Sequence, residues 1–323
     1  MLLHASLNHQ NQIMKIRFAA IFVSLASLLF CNSKISASQV FTERQPVSSG
    51  TANPPLVWVN SPDYTGCGGI NVPVVNAAYE QEVVYLVNQE RANAGLPPLK
   101  QMVELDEASR YHAADMAQDN YFEHDSYDPA GDEVVFICST WDRIKTFYPS
   151  PSAENIAAGY SNPSSVMSGW MNSTGHRNNI LSSNSWEIGV GYYEGGSWGV
   201  YWVQDFGRRD GVYPLIINQD AASTDSRSVS LYIYGSWTEI RLRNDDGDWS
   251  AWMPFQSTMN WELVGGVGAH TIWAEMRSDQ DASSTSDTIM LTLDDNPPTP
   301  TPTRIPLTTN EIVFLPQVMN RNP

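Results

Sequence analysis

The hydrophobic period of this 323-residue chain changes from helical to strand-like along its length. Apolar residues recur at helical spacing in three stretches, and Gly95 and Gly175 are predicted to end the first and third of these helices. Two alternating strands follow, joined by a glycine turn. The helices are predicted at 77–95, 106–120 and 164–174, and the strands at 188–192 and 198–206. Helices followed by a hairpin indicate an α+β domain over 77–207.

The chain on either side of this domain has a different composition. Residues 213–294 contain short alternating stretches separated by polar turns, which predicts a small β-sandwich of the Ig-like or fibronectin-like kind. Residues 38–76 are rich in Pro, Ser, Gly and Asn, and are predicted to form a linker or lead-in. Residues 295–323 alternate Pro and Thr before a short apolar patch, a pattern typical of a stiff tether.

The N-terminus has the order of a secretory signal. Lys15 and Arg17 precede an apolar run over 18–30, and small or polar residues follow it. The run is shorter than the roughly 20 residues that a membrane-spanning helix needs. We therefore predict a signal peptide over 1–37 and no membrane span in the mature chain. The protein is expected to be secreted or extracellular, and the Pro/Thr tail either attaches it to the cell surface or is unattached.

Charge and cysteine content restrict the partners and the redox compartment. The chain has 18 Lys and Arg against 35 Asp and Glu, a net charge of -17, which argues against nucleic acid as a partner because nucleic acid needs a basic surface. Removal of the signal leaves Cys67 and Cys138. Outside the cytoplasm an even pair indicates a disulfide, and two buried thiols are the alternative.

Local catalytic motifs are absent from the sequence. There is no Gly-x-Ser-x-Gly, His-Glu-x-x-His, P-loop or dinucleotide-binding glycine motif. The candidate functional residues are instead dispersed within 77–207, at His124, Glu154 and His176. Only the fold can bring them together.

Six segments in this region occur in a characteristic order. They read HAADMA at 112–117, YFEH at 121–124, ENIAAG at 154–159, WMNSTGHRNNIL at 170–181, EIGVG at 187–191 and YWVQDFG at 201–207. Together they resemble the CAP superfamily, also called the SCP domain, of cysteine-rich secretory proteins, antigen 5 and pathogenesis-related proteins, and the bacterial branch in particular. The resemblance implies a three-layer α-β-α sandwich (CAP fold) with a cleft at one end.

The resemblance also implies a set of cleft residues. The family cleft is lined by two His and two Glu, and the motifs place His124, His176 and Glu154 in three of these positions. Ser173 stands where many eukaryotic members have the second acid. Glu187 and Gln204 are the candidates to face the cleft in its place.

Three interpretations of these residues remain open. His124 and His176 with Glu154 could hold a weakly bound Zn²⁺ that keeps one position open. Ser173, His176 and Glu154 could form a nucleophile, a base and an orienting acid. The third interpretation is structural: the His and Glu side chains hydrogen-bond each other and brace the cleft wall, and His112 is a core histidine.

The function that we predict from the sequence is binding rather than catalysis. The resemblance implies a secreted CAP-domain protein that acts as a non-catalytic module for a lipid, a small molecule or a protein, with a weakly held Zn²⁺ as the candidate cofactor. A metal-dependent or serine hydrolase that acts on cell-wall or extracellular polymer is the alternative.

Overall fold

The computed structural model describes residues 64–292. The predicted signal peptide, residues 38–63 of the lead-in and the tail from residue 293 lie outside this range. Within residues 64–292 no helix is long and apolar enough to cross a membrane.

Helices and strands are mixed in the region up to residue 207. The helices are α1 (Ala77–Asn93), α2 (Val103–Gln118), α3 (Thr140–Lys145), α4 (Pro163–Asn172) and α5 (Thr174–Ile180). The strands are β1 (Lys100–Gln101), β2 (Ser126–Ala130), β3 (Glu133–Cys138), β4 (Pro151–Ala158), β5 (Glu187–Gly195) and β6 (Gly199–Gly207). Local chemistry sets several ends: the Asn76 side chain caps α1, and Asn162 caps α4 ahead of Pro163.

The central sheet has the strand order β1-β5-β6-β4, with β4 at one edge. One face packs against α1, α4 and α5 through a core that includes Val84, Trp170 and Trp202. The other face packs against α2 and α3 through smaller clusters that include Met116 and Ile144. These layers form the three-layer α-β-α sandwich expected from the resemblance.

Helix α2 lies unusually close to strand β5, and two glycines allow this approach. A Cβ atom on Gly191 would lie 2.2 Å from the Ser109 carbonyl carbon, and one on Gly189 would lie 2.1 Å from that of Leu105. The close contact also lets the Asp106 carboxylate accept a 2.8 Å hydrogen bond from the Val190 backbone N–H. The glycine alternation in β5 is therefore a requirement of helix-to-sheet packing.

The third predicted helix ends earlier than expected. Helix α4 stops at Asn172, Ser173 adopts an extended backbone, and α5 begins at Thr174. Gly175 thus lies inside α5, and the prediction that it ends a helix over 164–174 is wrong. Arg177 stabilises the break by donating a 2.9 Å hydrogen bond to the Met171 carbonyl.

The region from residue 215 is a β-sandwich, as expected. Its strands are β7 (Leu215–Ile217), β8 (Ser223–Thr224), β9 (Ser228–Ile233), β10 (Glu239–Asn244), β11 (Met253–Pro254), β12 (Thr258–Glu262), β13 (Gly268–Arg277) and β14 (Ala282–Leu291). One sheet has the order β11-β10-β13-β14-β8 and the other β12-β9-β7. Alternate residues of β9 and β13 are buried in the core between the sheets.

The sandwich is joined to the α-β-α domain by a partly buried polar contact. The Lys100 ammonium lies 2.5 Å from Asp220 and 2.6 Å from Asp287. Beside it, the Tyr234 hydroxyl donates a 2.7 Å hydrogen bond to the Pro98 carbonyl, and the Tyr234 ring stacks on Trp186 with centroids 4.5 Å apart. Charge pairing, hydrogen bonding and ring stacking together fix the orientation of the two domains.

The described part of the lead-in packs against the α-β-α domain. Tyr64 and Val72 are buried beside Tyr111 and Ala114 of α2. Cys67 and Cys138 form the expected disulfide across 71 residues, with Cα atoms 5.8 Å apart. On the chain-entropy account, closing such a loop stabilises the folded state by about 4 kcal/mol.

We predict that Gly191→Ala lowers the free energy of unfolding by about 1–3 kcal/mol, because the new methyl group would overlap the backbone of α2. Urea unfolding of the full chain measures this change. Gly175→Ala is the matched control: no atom lies within 4 Å of its added Cβ, and alanine favours a helix. Equal stability of the two variants would contradict the close packing of α2 on β5.

Candidate functional site

The edge strand β4 presents two polar residues to opposite faces of the sheet. Glu154 pairs in register with Asp205 of β6 on the α2 side, and Asn155 pairs with Gln204 on the α4 side. Both β4 side chains are buried. Because β4 has a neighbouring strand on one side only, side chains from the helices can close around its free edge.

The Glu154 carboxylate is held by two partners. Its Oε1 atom lies 2.7 Å from His124 Nδ1, and its Oε2 atom accepts a hydrogen bond from the fully buried Arg143 guanidinium. Arg143 also donates to the His124 carbonyl at 2.8 Å and to the Ser126 hydroxyl at 3.2 Å. The Arg143 guanidinium therefore binds both the Glu154 carboxylate and the backbone of His124, the histidine that contacts this carboxylate.

The charges of this group determine its protonation. Burial opposes ionisation of Glu154, but the adjacent Arg143 guanidinium together with His124 outweighs that effect and lowers the pKa of Glu154. The hydrogen bond to Glu154 raises the pKa of His124, so its imidazolium form is favoured. The arrangement is a carboxylate held between two cationic groups.

His112 is a neutral histidine inside the protein. It is fully buried, and its Nε2 lies 3.0 Å from the Glu123 carbonyl, which can only accept a hydrogen bond. Nε2 therefore carries the proton, and burial lowers the pKa of the ring. This agrees with the expected core histidine.

Asp205 adds a second buried carboxyl group beside Glu154. The Ser109 hydroxyl donates a 2.8 Å hydrogen bond to Asp205. Burial, with the neighbouring Glu154 charge, raises the pKa of Asp205 well above its usual value. The two neighbouring carboxyl groups thus differ in how readily they ionise: the pKa of Glu154 is lowered, whereas the pKa of Asp205 is raised.

A cleft of about 340 Å³ opens beside the edge strand. Half of the His124 side chain is exposed, and Trp141 at the rim is 44% exposed. The lining residues are His124, Thr140, Trp141, Ser152, Ala153, Glu154 and Asn179. The walls therefore combine an exposed indole ring with hydrogen-bonding groups.

Helix α5 closes the other side of the strand through amides. Asn179 donates to the Glu154 carbonyl at 3.2 Å and to Asn155 Oδ1 at 2.9 Å. Asn155 in turn donates to Gln204 Oε1 at 3.0 Å and to the His176 carbonyl at 3.2 Å. Burial, together with the charge of His124, lowers the pKa of the His176 imidazole.

The remaining predicted cleft residues have other environments. Gln204 is fully buried behind Asn155 and does not line the cleft. Ser173 sits at the junction of α4 and α5, outside the residues that line the cleft. Glu187 is buried against the Tyr148 hydroxyl and the Arg209 guanidinium. None of these three replaces the second family acid in the cleft.

The geometry bears on the two chemical interpretations. Glu154 contacts His124 rather than His176, so Ser173, His176 and Glu154 do not form a hydrogen-bonded relay among the described residues. For Zn²⁺, both Glu154 oxygens are already hydrogen-bonded, and within residues 64–292 His124, His176 and Glu154 do not form a compact set of ligand atoms. The residues present supply two imidazoles without a third ligand, which is an incomplete fit to a zinc site.

Sequence reasoning missed two members of the site. Arg143 lies in the short helix α3, which has no hydrophobic period to mark it, and only the fold brings it to Glu154. Asp205 lies on the predicted strand, where the alternation beside Gln204 could have identified it as facing α2. The alternation would still not show that Asp205 neighbours a second carboxyl group.

Comparisons with known proteins agree with this architecture. Residues 84–206 match the family model described as "CAP: Cysteine-rich secretory protein family". The uncharacterized protein YkwD of Bacillus subtilis (strain 168) is 37% identical over 171 residues, which cover 52% of this chain and 61% of that protein. The uncharacterized membrane protein YlbC of the same strain is 29% identical over 137 residues, 42% of this chain and 36% of that protein.

A solved structure of an extracellular protein containing a SCP domain, from Bacillus anthracis str. Ames, is 31% identical, covers 41% of this chain and 40% of that chain, and has a TM-score of 0.35. The chain spans less than two thirds of the length of both Bacillus subtilis relatives. The family match rests on the domain over 84–206. Over this domain, the chain is similar to the CAP family of cysteine-rich secretory proteins.

Proposed function

We propose that this chain is an exported binding protein whose CAP domain recognises a ligand or partner at the cell surface or outside the cell without turning it over. The observation that carries the proposal is that both carboxylate oxygens of Glu154 already have partners within the protein. One of its oxygens contacts His124 and the other contacts the buried Arg143. A carboxylate in that position stabilises the wall of the cleft and is poorly placed to act as a general base.

The exposed atoms of the cleft indicate the chemistry of a ligand. His124 Nδ1 faces Glu154, so Nε2 is the ring nitrogen left to donate toward the cleft. Trp141 offers a large apolar face at the rim. A lipid, small molecule or protein segment with a hydrogen-bond acceptor next to an apolar face fits this pair of groups.

The rest of the chain has a supporting role in this proposal. The Lys100 contact with Asp220 and Asp287 holds the β-sandwich firmly to the CAP domain. A sandwich held in this way acts as a spacer, and the Pro/Thr tail acts as a tether or a free extension. The N-terminal signal over 1–37 accounts for export.

The first prediction for the cleft concerns the titration of His124. Because Glu154 raises the pKa of His124, the ion pair contributes fully to folding stability at pH values below the ordinary histidine pKa of 6.5. That contribution is lost as the pH rises through the raised pKa of His124. NMR titration of the Cε1–H resonances should give a midpoint above 6.5 for His124, and Glu154→Gln should move that midpoint down. The His270 midpoint, in the β-sandwich, is the internal control and should not change. An unchanged His124 midpoint in Glu154→Gln would contradict the pairing.

The second prediction concerns turnover. Full-length protein incubated with purified Bacillus subtilis cell-wall sacculi should release no soluble fragments, because Glu154 is engaged by Arg143 and His124. Chromatography of the supernatant makes the measurement. Release of fragments by the wild type that stops in His124→Ala would establish the hydrolase alternative instead.

The third prediction concerns binding. In co-sedimentation with intact Bacillus subtilis cells, Trp141→Ala and His124→Ala should each weaken retention about tenfold, since both groups face the cleft. Trp273→Ala is the matched control, because this Trp is 38% exposed and lies on the β-sandwich. Equal retention of all four proteins would show that the cleft is not the binding surface.

A further inference from the structure

A second polar cluster lies near the C-terminal end of helix α2, outside the cleft described above. The contacts of α2 with Gly189 and Gly191 lie toward the other end of the helix. Asp115 and Asp119 are one turn apart near the C-terminal end of α2, and Asp128 lies on β2. One carboxylate oxygen from each lies within 4.8 Å of the others. Three acidic side chains from two elements therefore converge on one point.

The hydrogen bonding of Asp115 distinguishes this cluster from a solvated acidic patch. Asp115 is fully buried. Its Oδ2 atom accepts a 2.5 Å hydrogen bond from the Tyr121 hydroxyl, whereas its Oδ1 atom is buried without a hydrogen-bond partner among residues 64–292. Leaving a buried carboxylate oxygen unsatisfied is costly, so the site calls for a further electropositive group.

Charged side chains do not supply that group to Asp115. Within residues 64–292, no Lys or Arg lies within salt-bridge distance of its carboxylate. The nearest basic side chain is His112, whose Nδ1 lies 3.9 Å from Oδ2. His112 carries its proton on Nε2 and is neutral, so it does not offset the negative charge.

We propose that Asp115, Asp119 and Asp128 bind a calcium ion. Calcium prefers oxygen ligands about 2.3–2.6 Å away, so its ligand oxygens lie at most about 4.6–5.2 Å apart. The three oxygens of this cluster, all within 4.8 Å of one another, meet that requirement. Magnesium demands a smaller octahedral shell, and zinc prefers nitrogen and sulfur ligands. Three carboxylates without a nitrogen ligand therefore favour calcium.

The position of the ion has a structural consequence. Asp119 and Asp128 bracket residues 120–127, the segment that carries His124 into the cleft. Asp128 also accepts hydrogen bonds from the Gly66 N–H at 2.9 and 3.1 Å, next to the Cys67–Cys138 disulfide. A calcium ion at this point joins α2, β2 and the lead-in, and fixes both ends of the His124 segment. The site does not depend on the proposed function of the cleft.

Isothermal titration of the chelator-treated full chain with CaCl₂ tests the proposal. We expect one site per chain with an affinity in the range of extracellular calcium modules, and a calcium-dependent rise in Tm. Asp128→Asn should weaken calcium affinity at least about tenfold and abolish the rise in Tm. Asp132→Asn, an exposed acid on the turn of the same hairpin, is the charge-matched control and should bind as the wild type does.

Three results would overturn the proposal. The first is a wild type that binds no calcium and shows no change in Tm at millimolar CaCl₂, an outcome that does not rely on any variant. The second is equal calcium affinity in Asp128→Asn and Asp132→Asn, with native circular dichroism for both. The third is loss of calcium binding in His124→Ala/His176→Ala with retention in Asp128→Asn, which would move the ion to the cleft.

Discussion

The buried ion pair between Arg143 and Glu154 is the interaction on which the cleft depends. Glu154 comes from the edge strand β4, and Arg143 comes from the short helix α3. Placing two charges in the interior costs several kcal/mol per ion, and only close geometry with further hydrogen bonds offsets that cost. Arg143 meets this requirement through the His124 carbonyl and the Ser126 hydroxyl as well as Glu154. One guanidinium therefore joins the edge strand, helix α3 and the His124 segment.

This arrangement is the basis of our proposal that the cleft binds a ligand without turning it over. The residues divide between the two faces of the sheet: His124, Arg143 and Glu154 lie on the α2 side, and His176 belongs to α5 on the other side. Asn179 connects the faces through the Glu154 carbonyl. The groups left for a ligand are the His124 ring and the exposed indole of Trp141. The proposed calcium site stabilises the same loop from its opposite side.

The sequence predicted the elements whose patterns are local. Helix α1 was expected at 77–95 and runs Ala77–Asn93, and the hairpin of β5 and β6 follows the expected alternation. The break at Ser173 was missed, because the apolar stripe continues up to it and the Arg177 contact that stabilises it is not a sequence pattern. Glu154 was identified from its motif, but its partner was not, because ion pairing between distant segments depends on the packing of loops. Residue type alone also could not show that Gln204 is covered by Asn155.

A double-mutant cycle on Arg143 and Glu154 tests the central claim most directly. The full chain with Arg143→Met, Glu154→Gln or both is unfolded in urea, and the free energies of unfolding are compared with the wild type. Each single change should cost about 3–5 kcal/mol, because it leaves the other charged partner buried and unpaired. The double change should cost clearly less than their sum. The account would be contradicted if each single change lowered the free energy of unfolding by under about 1 kcal/mol and the two losses were additive, because such values are typical of an exposed ion pair that does not stabilise the fold.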